Sequence, residues 1–294
     1  RRAPFLPQSE VSMKLGVPLF LLRPQRMATV ARRAEELGFE SVWLPEHLIF
    51  PAEINSPYPY SVDGTAPIDP STPLLDPLVL LAQVAAVTTR IRVGTNVYVL
   101  PLRHPIQTAR MAVTLDVVSA GRLSLGIGAG WLAEEFAAVD VDFARRGART
   151  RECIRAIRAL WTEDTIEFRG KFFSFGPVKF EPKPVQRPHP PILLGGESEA
   201  ALRRAAELGD GWFGVRHTPA SAREKRQRLE EHRRAAGVGD RPFETTISVD
   251  GTTVDRETLA GFADAGIDRV VALPWRRDRE AENGLEELAK RCLR

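Results

Sequence analysis

Three places in the chain combine reactive or ligand-accepting residue types with a setting that would present them. The first is RLSLGIGAGW, Arg122 to Trp131, an apolar run that closes on alternating glycines and a tryptophan. Glycines at a strand end let a ligand lie against bare backbone. They fit a phosphate cradle at the start of a nucleotide fold, or the end of a barrel strand opening onto a flat ring. The second is SVWLPEH, residues 41–47, where Glu46 and His47 directly follow an apolar run. A histidine there can give or take a proton near neutral pH, and it can equally be a structural ring tied to Glu46 or to a carbonyl. The third is GGESEA, residues 195–200. Gly195 and Gly196 close a strand while Glu197 and Ser198 open a helix, so free N–H groups and the helix dipole form an anion site. A tight turn with Ser198 as an ordinary helix cap is the alternative.

The elements that must position these residues alternate along the chain. KLGVPLF (14–20) reads as a strand, and the segment after it carries Met27, Val30, Ala31, Ala34 and Leu37 at helical spacing before Gly38. Further strands are expected at 41–47, 91–99, 122–131, 191–196, 211–215, 245–250 and 268–274, each followed by a helical pattern. Asp76 caps one of these helices and Pro105 opens another. The alternation is interrupted by a Pro/Gly/Ser/Tyr-rich segment at 50–73 and by 131–190, which holds a helix at 148–161, a hairpin around Arg169-Gly170 and a proline connector at 181–191. Eight β–α units predict an α/β (β/α)8 TIM barrel with insertions after strands 2 and 4, an open doubly wound sheet being the alternative. Residues 1–12 read as a disordered leader and 13–294 as a single domain.

In a barrel the strand ends form the site. They present His47, Thr95, Asn96, Val97, Gly128, Gly130, Trp131, Gly195 to Ser198, Arg216 and Trp275, a rim rich in glycine and aromatics and poor in carboxylates. Such a rim suits a flat ring system better than a metal ion. HExxH, GxSxG, P-loop and paired-histidine patterns are absent, so no metal site and no serine nucleophile is expected. The dinucleotide reading of GIGAG fails on context, because the glycines follow the fourth strand and no acidic ribose-binding residue ends the next.

Composition narrows the partners. Net charge is +3, with acidic and basic residues interspersed, which disfavours nucleic acid. No apolar run reaches the roughly 18 residues of a membrane span. The first twelve residues lack the apolar core of a signal peptide. Cys153 and Cys292 lie far apart in helical segments, so a disulfide framework is not expected and a cytoplasmic setting is. The expected partner is a small-molecule substrate.

ARRAEELGFESVWLPEHL, RIRVGTNVYVLPLRHPIQTARMAVTLDVVSAGRLSLGIGAGW and PILLGGESEAALRRAAELGDGWF together resemble the luciferase-like monooxygenase superfamily. They look closest to its actinobacterial branch of coenzyme F420 (deazaflavin)-dependent oxidoreductases. The resemblance runs from about Met13 to Gly214. It implies a TIM barrel binding F420, or alternatively FMN, at its C-terminal face, and a homodimer. It implies that His47 faces the reactive part of the ring. A bulge in the third strand, often with a non-proline cis peptide, would back the ring at Thr95, Asn96 and Val97. Gly128 and Gly130 would lie low beneath the ring, and Gly195, Gly196, Glu197 and Ser198 would meet the cofactor phosphate. The acidic tail of F420 would call for cations, which Arg216, His217, Arg276 and Arg277 are placed to supply. One departure concerns catalysis. A sugar-phosphate dehydrogenase of this branch carries a glutamate proton donor just after the GxG of strand four, where this chain has Trp131. That favours a larger, more apolar substrate held by Trp131 beside His47. The activities implied are hydride transfer with F420, an FMN-dependent monooxygenation, or non-catalytic cofactor binding.

Overall fold

The computed structural model describes residues 13–293; the leader expected at 1–12 lies outside the described residues. The chain runs β1 (Lys14–Pro18), α1 (Pro24–Leu37), β2 (Ser41–Leu44), α2 (Pro77–Val87), β3 (Arg92–Thr95), β4 (Tyr98–Val99), α3 (Pro105–Val118) and β5 (Leu123–Gly128). It continues through α4 (Ala133–Ala137), α5 (Arg146–Thr162), β6 (Ile166–Arg169), β7 (Ser174–Val178), β8 (Ile192–Gly195) and α6 (Glu199–Leu208). It closes with β9 (Gly211–Val215), α7 (Pro219–Ala235), β10 (Glu244–Asp250), α8 (Arg256–Asp264), β11 (Arg269–Leu273) and α9 (Ala281–Cys292).

The sheet closes on itself. Its order is β3-β2-β1-β11-β10-β9-β8-β5-β4, and β3 also pairs with β5, so eight parallel staves form a ring with β3 and β4 as one interrupted stave. This is the expected (β/α)8 barrel, and the open-sheet alternative is set aside. The antiparallel hairpin β6–β7 stands outside it. Three boundaries differ from the sequence reading. The third strand breaks at Asn96–Val97, the helix expected from 148 starts at Arg146, and a short helix, α4, follows Trp131.

Inside the barrel Trp43, Leu193, Phe213 and Val271, from four different staves, pack as one buried layer. Trp43 meets Phe213 edge-on at 5.2 Å, and its Nε1–H donates to Ser41 Oγ at 2.8 Å. A Cβ on Gly94 would stand 2.4 Å from the Trp43 ring, so the neighbouring strand needs glycine to admit the indole. Below this layer, at the N-terminal ends of the strands, Arg269 is 1% exposed. Its guanidinium forks onto Glu40 with both bonds at 2.8 Å, meets Glu244, and stacks over Trp43 at 5.4 Å. Lys14 completes the cluster on Glu244 at 2.7 Å. Conserving charge balance in this way is what lets ions sit in a barrel base.

Arg122, the first residue of the glycine-bearing stretch, is buried without a carboxylate. Its donors go to Ala85 O, Thr88 O and Thr88 Oγ1 at the end of α2, and to Ile91 O and Ser119 O. It thus satisfies the orphan carbonyls of a helix C-terminus, where a cation is favoured. Cys153 is buried, and burial pushes its thiol up to about 12, which makes it inert.

Candidate active site

The C-terminal rim is built around the break in the third stave. The Asn96–Val97 peptide is cis. Val97 then lays its methyls across the neighbouring staves: a Cβ on Gly128 would meet Val97 Cγ2 at 2.6 Å, and one on Gly195 would meet Cγ1 at 2.9 Å. This changes the reading of two glycines. Gly128 and Gly195 clear space for Val97, which itself forms the floor of the mouth. Gly128→Ala is therefore expected to cost about 1–3 kcal/mol by overpacking. In a double-mutant cycle read by chemical denaturation, Val97→Ala should recover most of that loss.

Beside the floor, Thr95 is committed to the scaffold, its hydroxyl donating to Gly126 O at 2.6 Å. The half-buried Asn96 differs, because its Oδ1 is buried and has no hydrogen-bond partner among the described residues. A buried acceptor left open is costly unless a ligand donor meets it.

His47 does not pair with Glu46. Glu46 Oε2 accepts from the Val99 N–H at 2.6 Å, and Oε1 meets Arg103 at 2.5 Å, which anchors β4. Burial pushes the Glu46 carboxyl up despite that guanidinium. His47 instead places Nδ1 3.1 Å from Oε2 of Glu135, a wholly buried residue of α4. Glu135 Oε1 accepts from the backbone N–H groups of Leu48 and Ile49. Next to it, Glu134 accepts from Asn55 N, Ser56 N and Ser56 Oγ at 2.7, 3.0 and 2.6 Å.

These bonds hold the 50–73 segment over the mouth. It leaves β2, is tied to α4 after β5, and is met from the far side by Arg216, after β9, whose Nη1 donates to Tyr60 O at 2.9 Å. Trp131 stands beneath it. Its ring meets His47 edge-on at 5.6 Å and Tyr58 at 5.0 Å, while Phe50 lies 4.9 Å from His47. Tyr58 in turn packs on Tyr60, whose phenol burial pushes up to about 12, helped by the charge of Glu197. A cleft of about 470 Å³ framed by Ile54, Ser56, Gly64 and Pro70 lies within this covering segment.

At the opposite side, Gly196 has φ +120 and its carbonyl accepts from Trp212 Nε1 at 3.0 Å. Ser198 caps α6, its Oγ accepting from Ala201 N at 3.2 Å. Glu197 is bound to Val215 N at 3.0 Å, His217 Nε2 at 2.9 Å and Lys225 Nζ at 3.5 Å. Of the cations expected for an acidic tail, His217 is held by Glu197 and Arg276 by Asp250, while Arg216 gives one donor, Nη1, to Tyr60 O. Gly130 (φ +83) packs on Phe136 and Val99, and its carbonyl accepts from Arg146 Nε at 3.2 Å.

Two further cations stand at the start of α5: Arg146, with Nε on Gly130 O and Nη1 on Phe143 O but Nη2 without a hydrogen bond among the described residues, and Arg204. Arg204, on α6, is 8% exposed and makes no hydrogen bond among the described residues. Its Nη1 lies 3.1 Å from where a Gly147 Cβ would be, at the first turn of α5, whose N-terminus has no side-chain cap. Burial first, then the charges of Arg151 and Arg146, draw its pKa down. A desolvated guanidinium among like charges at a helix N-terminus favours an anion.

Sequence reasoning assigned no role in the site to Glu135, Glu134, Arg146 or Arg204. For Glu135 a signal exists: Leu132, Glu135 and Phe136 share the buried face of α4, so a carboxylate sits in an apolar stripe. The two arginines carry no such sign, lying among many arginines that face solvent.

The sequence model of luciferase-like monooxygenases matches residues 6–261. An uncharacterized protein of Mycobacterium tuberculosis is 36% identical over 283 residues, covering 94% of this chain and 98% of that protein. An F420-dependent glucose-6-phosphate dehydrogenase of Kineococcus radiotolerans is 32% identical over 237 residues, 77% of this chain and 65% of that protein. The coenzyme F420-dependent tetrahydromethanopterin reductase of Methanopyrus kandleri shares the fold, with a TM-score of 0.76 at 16% identity over 96% of this chain and 99% of that one.

Proposed function

The chain belongs to the luciferase-like monooxygenase family, and on that premise we propose that it is an F420 (deazaflavin)-dependent oxidoreductase acting on an apolar organic substrate. Enzymes of the family work with F420 or with FMN. The observation that carries the reading is the mouth of the barrel: a floor at Val97 with the open acceptor of Asn96 beside it, and the box of His47, Phe50, Tyr58 and Trp131 above.

These residues fit a planar tricyclic cofactor. Val97 would back one face, and Asn96 Oδ1 would accept from a ring N–H. The start of α6 at Ser198, with Arg204 and Arg146, would hold the phosphate end. When bound, F420 supplies hydride acceptor or donor chemistry at its ring. The chain's own work is positioning. His47 takes or returns one proton at Nε2, which makes no hydrogen bond among the described residues. Trp131, Tyr58 and Phe50 enclose an apolar substrate, and the 50–73 segment excludes water. No acid stands at position 131, which disfavours a phosphorylated sugar.

We further propose a homodimer located in the cytoplasm. The outer side of α2 carries Val79, 64% exposed, with Leu75 just before the helix, and no helix among the described residues is long and apolar enough to cross a membrane. Anaerobic assays test the enzymatic reading. Oxidised F420 should lose its absorbance with secondary alcohols, or reduced F420 regain it with enones or ketones. NADH-driven oxygen consumption that needs FMN and ignores F420 would select a monooxygenase instead. Binding without turnover under either regime would leave a carrier.

A further inference from the structure

We propose that Glu135 is a positioning residue that fixes the neutral tautomer of His47 with its proton on Nδ1, leaving Nε2 as the bare acceptor toward the barrel mouth. The proposal rests on the reading of His47 as the proton-handling residue, and it concerns an atom-level arrangement that exists whatever the cofactor.

The carboxylate has no freedom to serve His47 in any other way. It is wholly buried, so water does not compete for its oxygens. Oε1 already accepts two backbone N–H groups, from Leu48 and Ile49, which cannot rotate away. That leaves Oε2, 3.1 Å from Nδ1. An ionised carboxylate only accepts, so the imidazole nitrogen facing it must carry the hydrogen. The ring plane is then set by three contacts: Glu135 at Nδ1, Phe50 at 4.9 Å and Trp131 at 5.6 Å. Leu48 and Ile49 immediately follow His47, so one carboxylate fixes both the ring and the backbone leading out of β2.

Glu135→Gln inverts this arrangement with almost no change in shape. The single carbonyl oxygen of the amide has to stay on the Leu48 and Ile49 donors, since an NH2 group there would oppose two backbone N–H groups. The NH2 therefore faces Nδ1 and demands an acceptor. His47 then moves its proton to Nε2 and can no longer take one from a substrate while neutral.

The test uses ring nitrogen-15 NMR of the cofactor-free protein, labelled in histidine, at alkaline pH where the ring is neutral. The His47 signals are assigned by their loss in His47→Gln. The expected result is a protonated Nδ1 in the wild type and a protonated Nε2 in Glu135→Gln. In turnover, Glu135→Gln should lose about 10²–10⁴-fold in kcat with KM little changed, the pattern of a mis-set tautomer. A protonated Nε2 in the wild type overturns the proposal, and that arm needs no variant to fold. Failure of the wild type to bind F420 or FMN would instead sink the functional reading while leaving the tautomer result standing.

Discussion

Replacing Arg269 by methionine is expected to lower stability by about 3–5 kcal/mol, the usual cost of breaking a buried ion pair from one side. For a domain of this size that is a fall of roughly 10 °C in Tm. The cause is what the substitution leaves behind. Glu40 and Glu244 are about three-quarters buried, and Arg269 supplies the fork that satisfies Glu40 and a second contact to Glu244. Lys14 reaches only Glu244. Burial by itself would raise the Glu40 carboxyl, yet the Arg269 guanidinium outweighs it and holds that group below the ordinary carboxylate range. A depressed carboxylate contributes stability that is present above its unfolded-state pKa and is lost as pH falls through the folded-state value. Without Arg269 burial prevails and the Glu40 carboxyl rises, so the stability deficit of the variant should be largest near neutral pH and shrink as the pH falls and the carboxyl is protonated, read by denaturation followed by circular dichroism at several pH values. An unchanged Tm at neutral pH would mean the cluster carries no stability.

His47→Ala should lower kcat by about 10²–10⁴-fold, the range of general acid–base contributions. Affinity for F420 should stay within a few-fold, because the phosphate end is assigned to Ser198, Arg146 and Arg204, on other elements. The variant also leaves Glu135 with the Leu48 and Ile49 N–H groups as its remaining donors. A thermal melt run beside the kinetics separates lost chemistry from lost fold. A kcat within about threefold of wild type would remove His47 from the reaction.

The barrel was legible because parallel staves are buried on both faces and so read as apolar runs, as in ILLG and RVVAL. The proline at Pro24 and Pro105 and the glycine at Gly38 marked helix ends for local reasons that need no partner. His47, Asn96 and Val97 could be placed at the mouth because a barrel puts its strand ends there. What escaped was whatever depends on a partner far away in the chain. Glu135 reaches His47 across 88 positions, and Arg216 reaches Tyr60 across 156. The packing of Gly128 was hidden for the same reason: its neighbour is Val97, from the stave before. Helix α4, at five residues, offers only the short spacing of Leu132, Glu135 and Phe136, and Tyr98-Val99 continues the apolar run, so the break at Asn96–Val97 leaves no mark in composition.

We propose the mouth of this barrel as a deazaflavin site. Equilibrium dialysis of the cofactor-free protein against an equimolar mixture of F420 and FMN tests it most directly. Retention of F420 in the protein compartment, with FMN at or near its free concentration, is the predicted result; preferential retention of FMN, or of neither, would contradict it.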